Sequence, residues 1–202
     1  MCGTCLRPQR TCICRWIART DNIVEVLILQ HPLETGEAKG SARLLHLSLA
    51  RSSIATGETF DARELHRLLY PSAPSGETAR RPVLLYPAGA DETHAAGDLP
   101  ADPSALRLII LDGTWRKTAK MLHLNPELRA LPRLPLADPP ASHYCIRKAR
   151  RPDQLSTLEA ACRALIQLEG DAARYAPLLE AFDGFVAQQQ AWVPAAQRRG
   201  AN

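Results

Sequence analysis

At 202 residues the chain has room for one substantial domain and a small appendage, with a real hydrophobic core. No apolar stretch approaches the ~20 residues that a membrane-spanning helix requires, so a soluble protein is expected. The formal net charge of +4 conceals a segregation: residues 107–151 carry ten Lys/Arg against three Asp/Glu, and residues 1–19 carry four Arg and no acid. Such clustering suits a polyanion such as RNA, and it is equally what a solvated Arg-rich surface looks like.

Four of the six cysteines come first, as Cys2, Cys5, Cys12 and Cys14. Two close pairs of thiols can fold back so that four sulfurs converge on one tetrahedral ion. Zinc suits such a closed, all-sulfur site, with iron–sulfur ligation and a pair of disulfides as the alternatives. No apolar signal region follows Met1, and Arg7, Arg10, Arg15 and Arg19 interrupt the segment, so a cytoplasmic, reducing setting is expected; that favours metal over disulfide. Residues 1–19 therefore read as a zinc knuckle and 20–202 as the main domain.

Asn22 to Leu29 is a nearly continuous apolar run, the pattern of a buried strand, and it ends in Gln30-His31-Pro32-Leu33-Glu34. Ser41 is placed to cap a helix over 42–49, and Asp61-Ala-Arg-Glu64 opens a second helix reaching Leu69. Val83–Tyr86 reads as a strand closed by Pro87, residues 88–105 as a long exposed loop, and Leu108–Leu111 as another buried strand followed by a short helix from Thr114. Four prolines make 132–140 irregular. Ser156-Thr-Leu-Glu159 is a capping-box pattern opening a helix whose apolar stripe is Leu158, Ala161, Cys162, Leu165 and Leu168. A last helix carries Leu178, Leu179, Phe182, Phe185 and Val186 inward. Alternating strands and helices predict an α/β fold with a mainly parallel sheet and helices on both faces.

In open α/β sheets ligands sit beyond the carboxyl ends of the strands, and three such ends are rich in unusual residues: Gln30–Glu34, Tyr86-Pro87 and Asp112-Gly113-Thr114-Trp115. Asp112 ends a hydrophobic strand, where a carboxylate is partly desolvated. Gly113 permits a close backbone approach, Thr114 can cap the next helix, and Trp115 offers a flat face for stacking on a base. The plainer alternatives are a turn-forming Asp and a core Trp. Cys162 reads as a core thiol, and neither it nor Cys145 has a basic partner in sequence that would make it a nucleophile.

The segment Leu111-Asp-Gly-Thr-Trp-Arg-Lys-Thr-Ala-Lys-Met-Leu122 resembles the signature of the DTW-domain family, and the opening cysteine pattern is similar to that family's metal knuckle. Gln30–Glu34, Ser41–Leu45, Leu131–Leu134, Tyr144–Lys148 and Leu155–Ala160 add further matches in order, with Ser41 standing where a threonine is expected. The resemblance implies a tRNA-uridine aminocarboxypropyltransferase, which moves the 3-amino-3-carboxypropyl group of S-adenosylmethionine to N3 of a uridine and releases methylthioadenosine. It implies a SPOUT-like, knotted fold, tRNA as partner, and neither DNA nor a membrane; oligomeric state is left open.

On that resemblance Asp112 is the candidate base and Trp115 the platform for a ring. Tyr86, Pro87, Leu111, Gly113, Thr114, Ser156, Thr157 and Glu159 are candidates to hold the donor. Arg116, Lys117, Lys120, Arg147, Lys148, Arg150 and Arg151 are candidates to hold RNA phosphates. Cys2, Cys5, Cys12 and Cys14 would hold a structural zinc. The competing functions are a SPOUT-like RNA methyltransferase using the same donor, the same chemistry on ribosomal RNA, and a non-catalytic zinc-dependent RNA-binding protein.

Overall fold

A computed structural model describes residues 1–37, 40–72, 79–87, 99–137 and 155–191 of the chain. Five strands, β1 (Glu25–Gln30), β2 (Ser52–Thr56), β3 (Arg81–Leu85), β4 (Leu106–Asp112) and β5 (Arg133–Leu134), form one all-parallel sheet in the order β2-β1-β4-β3-β5. The described α-helices are α1 (Ala42–Ser48), α2 (Ala62–Leu69), α3 (Trp115–Leu124), α4 (Pro126–Arg129), α5 (Thr157–Glu169) and α6 (Ala172–Ala191), with short 3-10 turns between some elements.

The two central strands are apolar along nearly their whole length because both of their faces are covered. Alternation sorts their side chains. Val26, Ile28, Leu108 and Ile110 join a core with Leu44, Leu45, Leu158, Leu165, Phe182 and Phe185 from α1, α5 and α6. Leu27, Leu29, Ile109 and Leu111 join a second core with Leu65, Leu69, Met121 and Leu128 from α2, α3 and α4. Helices thus lie on both faces, as the sequence predicts, and the sheet is wholly parallel.

Two strands escape the sequence pattern. Ser52–Thr56 sits half-buried at one sheet edge and carries no apolar run. Arg133–Leu134 lies at the other edge inside the proline-rich segment expected to be irregular; its Leu134 pairs with Leu85.

The helix ends follow their local chemistry. Ser156 and Glu159 make the reciprocal capping box at α5, and Gly170 closes that helix in the left-handed conformation at φ 69°. Thr114 Oγ1 accepts from the Lys117 N–H at α3. Ser41 departs from expectation: its hydroxyl makes no cap on α1 and instead accepts from the Leu158 N–H at 3.2 Å, joining the start of α1 to the start of α5.

The cysteine segment is docked onto the main fold. Arg7 Nη2 donates to the Gly40 carbonyl (2.8 Å), and its guanidinium lies over the Phe185 ring; Arg43 Nη2 donates to the Thr4 carbonyl (2.7 Å). Trp16 Nε1 donates to Gln188 Oε1, and Gln188 Nε2 returns a bond to the Cys12 carbonyl (3.3 Å). No helix among the described residues is long and apolar enough to cross a membrane.

Candidate active site

The topology selects where a site can form. From β1 the chain moves to β2 on one side, and from β4 it moves past β3 to β5 on the other. The carboxyl ends of β1 and β4 are therefore the switch point of the sheet, where the flanking connections part and leave a crevice.

Parallel register sets Gln30 opposite Asp112. Both continue the alternation that points Ile28 and Ile110 towards α5, so their side chains meet on that face. Gln30 Nε2 donates to Asp112 Oδ2 at 2.8 Å, and Thr157 Oγ1, at the first turn of α5, donates to Asp112 Oδ1 at 2.6 Å. The His31 N–H prolongs the ladder by donating to the Asp112 carbonyl at 2.9 Å. Asp112 is 4% exposed, and its two carboxylate oxygens receive donors from β1 and α5. Gly113 follows in a tight place: a Cβ there would lie 3.2 Å from Lys117 Cβ and 3.4 Å from Thr118 Cγ2, so its absence lets α3 close over the strand end.

Beside this cluster opens a pocket of about 370 Å³, within the size range of small-molecule sites. Tyr86, Pro87, Leu111, Gly113, Ser156 and Thr157, all expected to hold the donor, are among its walls, as is Trp115; Ile110, Leu134, Pro135 and Leu136 add apolar surface. Asp112 is not a wall residue and stands behind Thr157. Thr114 and Glu159 are also outside the lining. Thr114 caps α3, and Glu159 is buried with Oε2 accepting from the Ser156 N–H at 2.8 Å, so each shapes a wall. Trp115 is 52% exposed and meets Tyr86 edge-on at 5.7 Å, while Arg133 lies over the Tyr86 ring at 5.4 Å. Tryptophan, tyrosine and guanidinium thus meet beside the pocket, with half of the tryptophan open to solvent.

The basic residues of α3 are not equivalent. Arg116 is exposed. Lys117 Nζ reaches the buried Glu34 at 2.9 Å, and Lys120 Nζ reaches Glu58 at 2.9 Å. Glu58 also receives His31 Nε2 at 2.9 Å, while His31 Nδ1 accepts from the Leu33 N–H at 3.1 Å; the two contacts together place the imidazole proton on Nε2. The hydrogen bonds from Lys120 and His31 hold the Glu58 carboxyl below its usual range. Arg147, Lys148, Arg150 and Arg151 lie outside the described residues, as does Cys145. Sequence reasoning gave no role to Gln30, Glu58 or Arg133. Gln30 carried a signal, being a polar residue at the end of an apolar strand, but its partner is 82 positions away.

The four N-terminal sulfurs lie within 4.8 Å of one another, with Cys2–Cys14 at 3.5 Å and Cys5–Cys12 at 3.7 Å. A tetrahedron with zinc–sulfur bonds of about 2.3 Å has edges of about 3.8 Å, so this donor set fits zinc. Backbone shapes the cage. Leu6 adopts φ 58°, and its N–H returns to the Cys2 carbonyl at 2.9 Å. The N–H groups of Cys5 and Thr4 lower the Cys2 thiol to about 6, whereas burial first, and then its sulfur neighbours, push Cys14 up to about 12. A bound cation would favour the deprotonated thiolates that ligate it. Burial also pushes Cys162 up to about 12, in keeping with a core thiol.

The DTW-domain family matches residues 1–190. The chain is 32% identical over 175 residues to tRNA-uridine aminocarboxypropyltransferase 2 of Mus musculus, covering 83% of this chain and 56% of that protein. It is 30% identical over 172 residues to the protein of the same name from Drosophila melanogaster, covering 83% and 66%. The chain therefore spans little more than half to two thirds of the length of these relatives. No solved structure gives a significant match.

Proposed function

The chain belongs to the DTW-domain family, and from that premise we propose that it transfers the 3-amino-3-carboxypropyl group of S-adenosylmethionine to N3 of a uridine in tRNA, releasing methylthioadenosine. The observation that carries the proposal is the pocket at the switch point, walled by Gly113, Trp115, Ser156 and Thr157 and backed by the buried Asp112. In this reading the donor occupies that pocket against Tyr86, Pro87, Leu111, Gly113 and Ser156. Thr114 and Glu159 fix the helix ends that frame it. Trp115 stacks on a ring, and Asp112 takes the proton that uridine N3 must lose.

The sulfonium offers three carbons to a nucleophile, so positioning alone selects the one attacked, and the pocket's task is to bring the aminocarboxypropyl carbon in line with N3. Arg116, Arg147, Lys148, Arg150 and Arg151 hold phosphates in this reading, with Lys117 and Lys120 contributing once their carboxylate partners yield. Residues 1–19 form a structural zinc knuckle and 20–202 the transferase domain. Cys2, Cys5, Cys12 and Cys14 would hold the ion, and their closed shell assigns it to folding. The strand order β2-β1-β4-β3-β5, parallel throughout, supports a SPOUT-like knotted arrangement. The cytoplasm is its setting in this reading.

The test is incubation of unmodified tRNA transcripts with the protein and S-adenosylmethionine, followed by nucleoside mass spectrometry. An aminocarboxypropylated uridine with matching methylthioadenosine is the expected product. A methylated nucleoside with S-adenosylhomocysteine would contradict it.

A further inference from the structure

We propose that Thr157 is the group that meets uridine N3–H, acting as a one-step proton relay to Asp112 and as the element that distinguishes uracil from cytosine. This presupposes the transfer reaction proposed above.

A threonine hydroxyl has one proton, and here Asp112 Oδ1 holds it at 2.6 Å, a short bond of the charge-assisted kind. An ionised carboxylate only accepts, so the direction of that bond is fixed. Gln30 Nε2 occupies the other oxygen, Oδ2, at 2.8 Å, which stops the carboxylate turning away. The Thr157 oxygen, whose residue lines the pocket while Asp112 does not, can then offer the pocket only lone pairs. Its partner must be an N–H or O–H donor. Uracil presents N3–H between two carbonyl acceptors, whereas cytosine N3 carries a lone pair at neutral pH and would face the threonine oxygen acceptor to acceptor, an unpaired contact.

The chemistry balances without an added reagent. The N3–H bond breaks and its proton goes to the Thr157 oxygen, while the original hydroxyl proton moves to Asp112 Oδ1. The N3 lone pair forms the bond to the aminocarboxypropyl carbon of S-adenosylmethionine. The carbon–sulfur pair leaves on sulfur, giving neutral methylthioadenosine, and Asp112 later returns its proton to solvent. Gln30 acts through Asp112 and is a positioning residue.

The experiment measures single-turnover transfer to tRNA against pH for the wild type, Thr157→Val, Thr157→Ala and Thr157→Ser, with S-adenosylmethionine affinity and melting temperature for each. Both hydroxyl deletions are expected to slow transfer by about 100-fold or more, with donor affinity within about threefold of wild type, and Thr157→Ser to recover most of the rate. In the deletions the remaining rate should climb about tenfold per pH unit between pH 7 and 9, because hydroxide replaces the relay. A deletion variant within about threefold of the wild-type rate would overturn the relay. So would a loss of donor affinity equal to the loss of rate, since Thr157 would then bind the donor's ammonium group. A folded wild type without transfer would instead remove the reaction itself, and the relay with it.

Discussion

Gln30 and Asp112 are direct partners in the parallel register of β1 and β4, and the same pair is joined again through side chains, Nε2 to Oδ2 at 2.8 Å. The sheet therefore sets the carboxylate's orientation, and the site inherits its precision from the two most buried strands.

Asp112→Asn is expected to abolish transfer while tRNA affinity stays within about threefold. An amide keeps one acceptor oxygen for Gln30 Nε2 and turns its nitrogen towards Thr157 Oγ1, whose hydroxyl rotates to accept, so the substitution removes the base and nearly preserves the contacts. The loss in rate should be on the order of 100-fold to 10,000-fold. Rapid-quench transfer assays beside filter binding separate the two effects, and equal losses would assign Asp112 to binding or folding.

Arg116 and Lys117 are neighbours in sequence with different expected roles. Arg116→Ala should weaken tRNA binding, reduce the dependence of log K on log salt by about 1, and leave the melting temperature unchanged. Lys117→Ala removes the ammonium at 2.9 Å from the buried Glu34 and should destabilise the fold by about 1–3 kcal/mol. Salt titrations of binding and urea unfolding of both variants check the contrast.

Glu58 makes stability depend on pH in a defined direction. Its carboxyl lies below the ordinary value of 4.5 in the folded state, through Lys120 first and His31 second. The unfolded state binds the proton more readily, so this contribution is complete above pH 4.5 and is lost as pH falls through the folded value. The melting-temperature difference between wild type and Glu58→Gln should thus be full at pH 6–8 and vanish in stronger acid. A difference that grew on acidification would contradict the assignment.

The knuckle is expected to bind one zinc per chain, measured by elemental analysis of protein purified without chelator. Cys12→Ser should lose that ion and lower the melting temperature, and zinc-free wild-type protein would remove the metal site. Docking is testable separately. A Cβ on Gly184 would lie 2.1 Å from Trp16 Cζ3, so Gly184→Ala should cost about 1–3 kcal/mol by displacing Trp16 from Gln188.

Much of this architecture could be read from the sequence because it is local. β1 and β4 announce themselves as apolar runs, and the capping box at Ser156 and Glu159 occurs where its spacing predicts. β2 has no sequence signature because an edge strand half-open to solvent needs no apolar run, and β5 has none because a two-residue strand among prolines has no period. The pocket walls are traceable to motifs at strand ends, whereas three properties of the site depend on distant contacts. Gln30 holding Asp112, Ser41 capping α5 instead of α1, and Lys117 spent on Glu34 all arise from partners 80 to 120 residues apart, which only the packed sheet brings together.

The central claim is best tested by giving the protein unmodified tRNA and S-adenosylmethionine labelled either at the carboxyl carbon or at the methyl group. The account predicts carboxyl label in the tRNA and no methyl label. Methyl label without carboxyl label would make the protein a methyltransferase and contradict it.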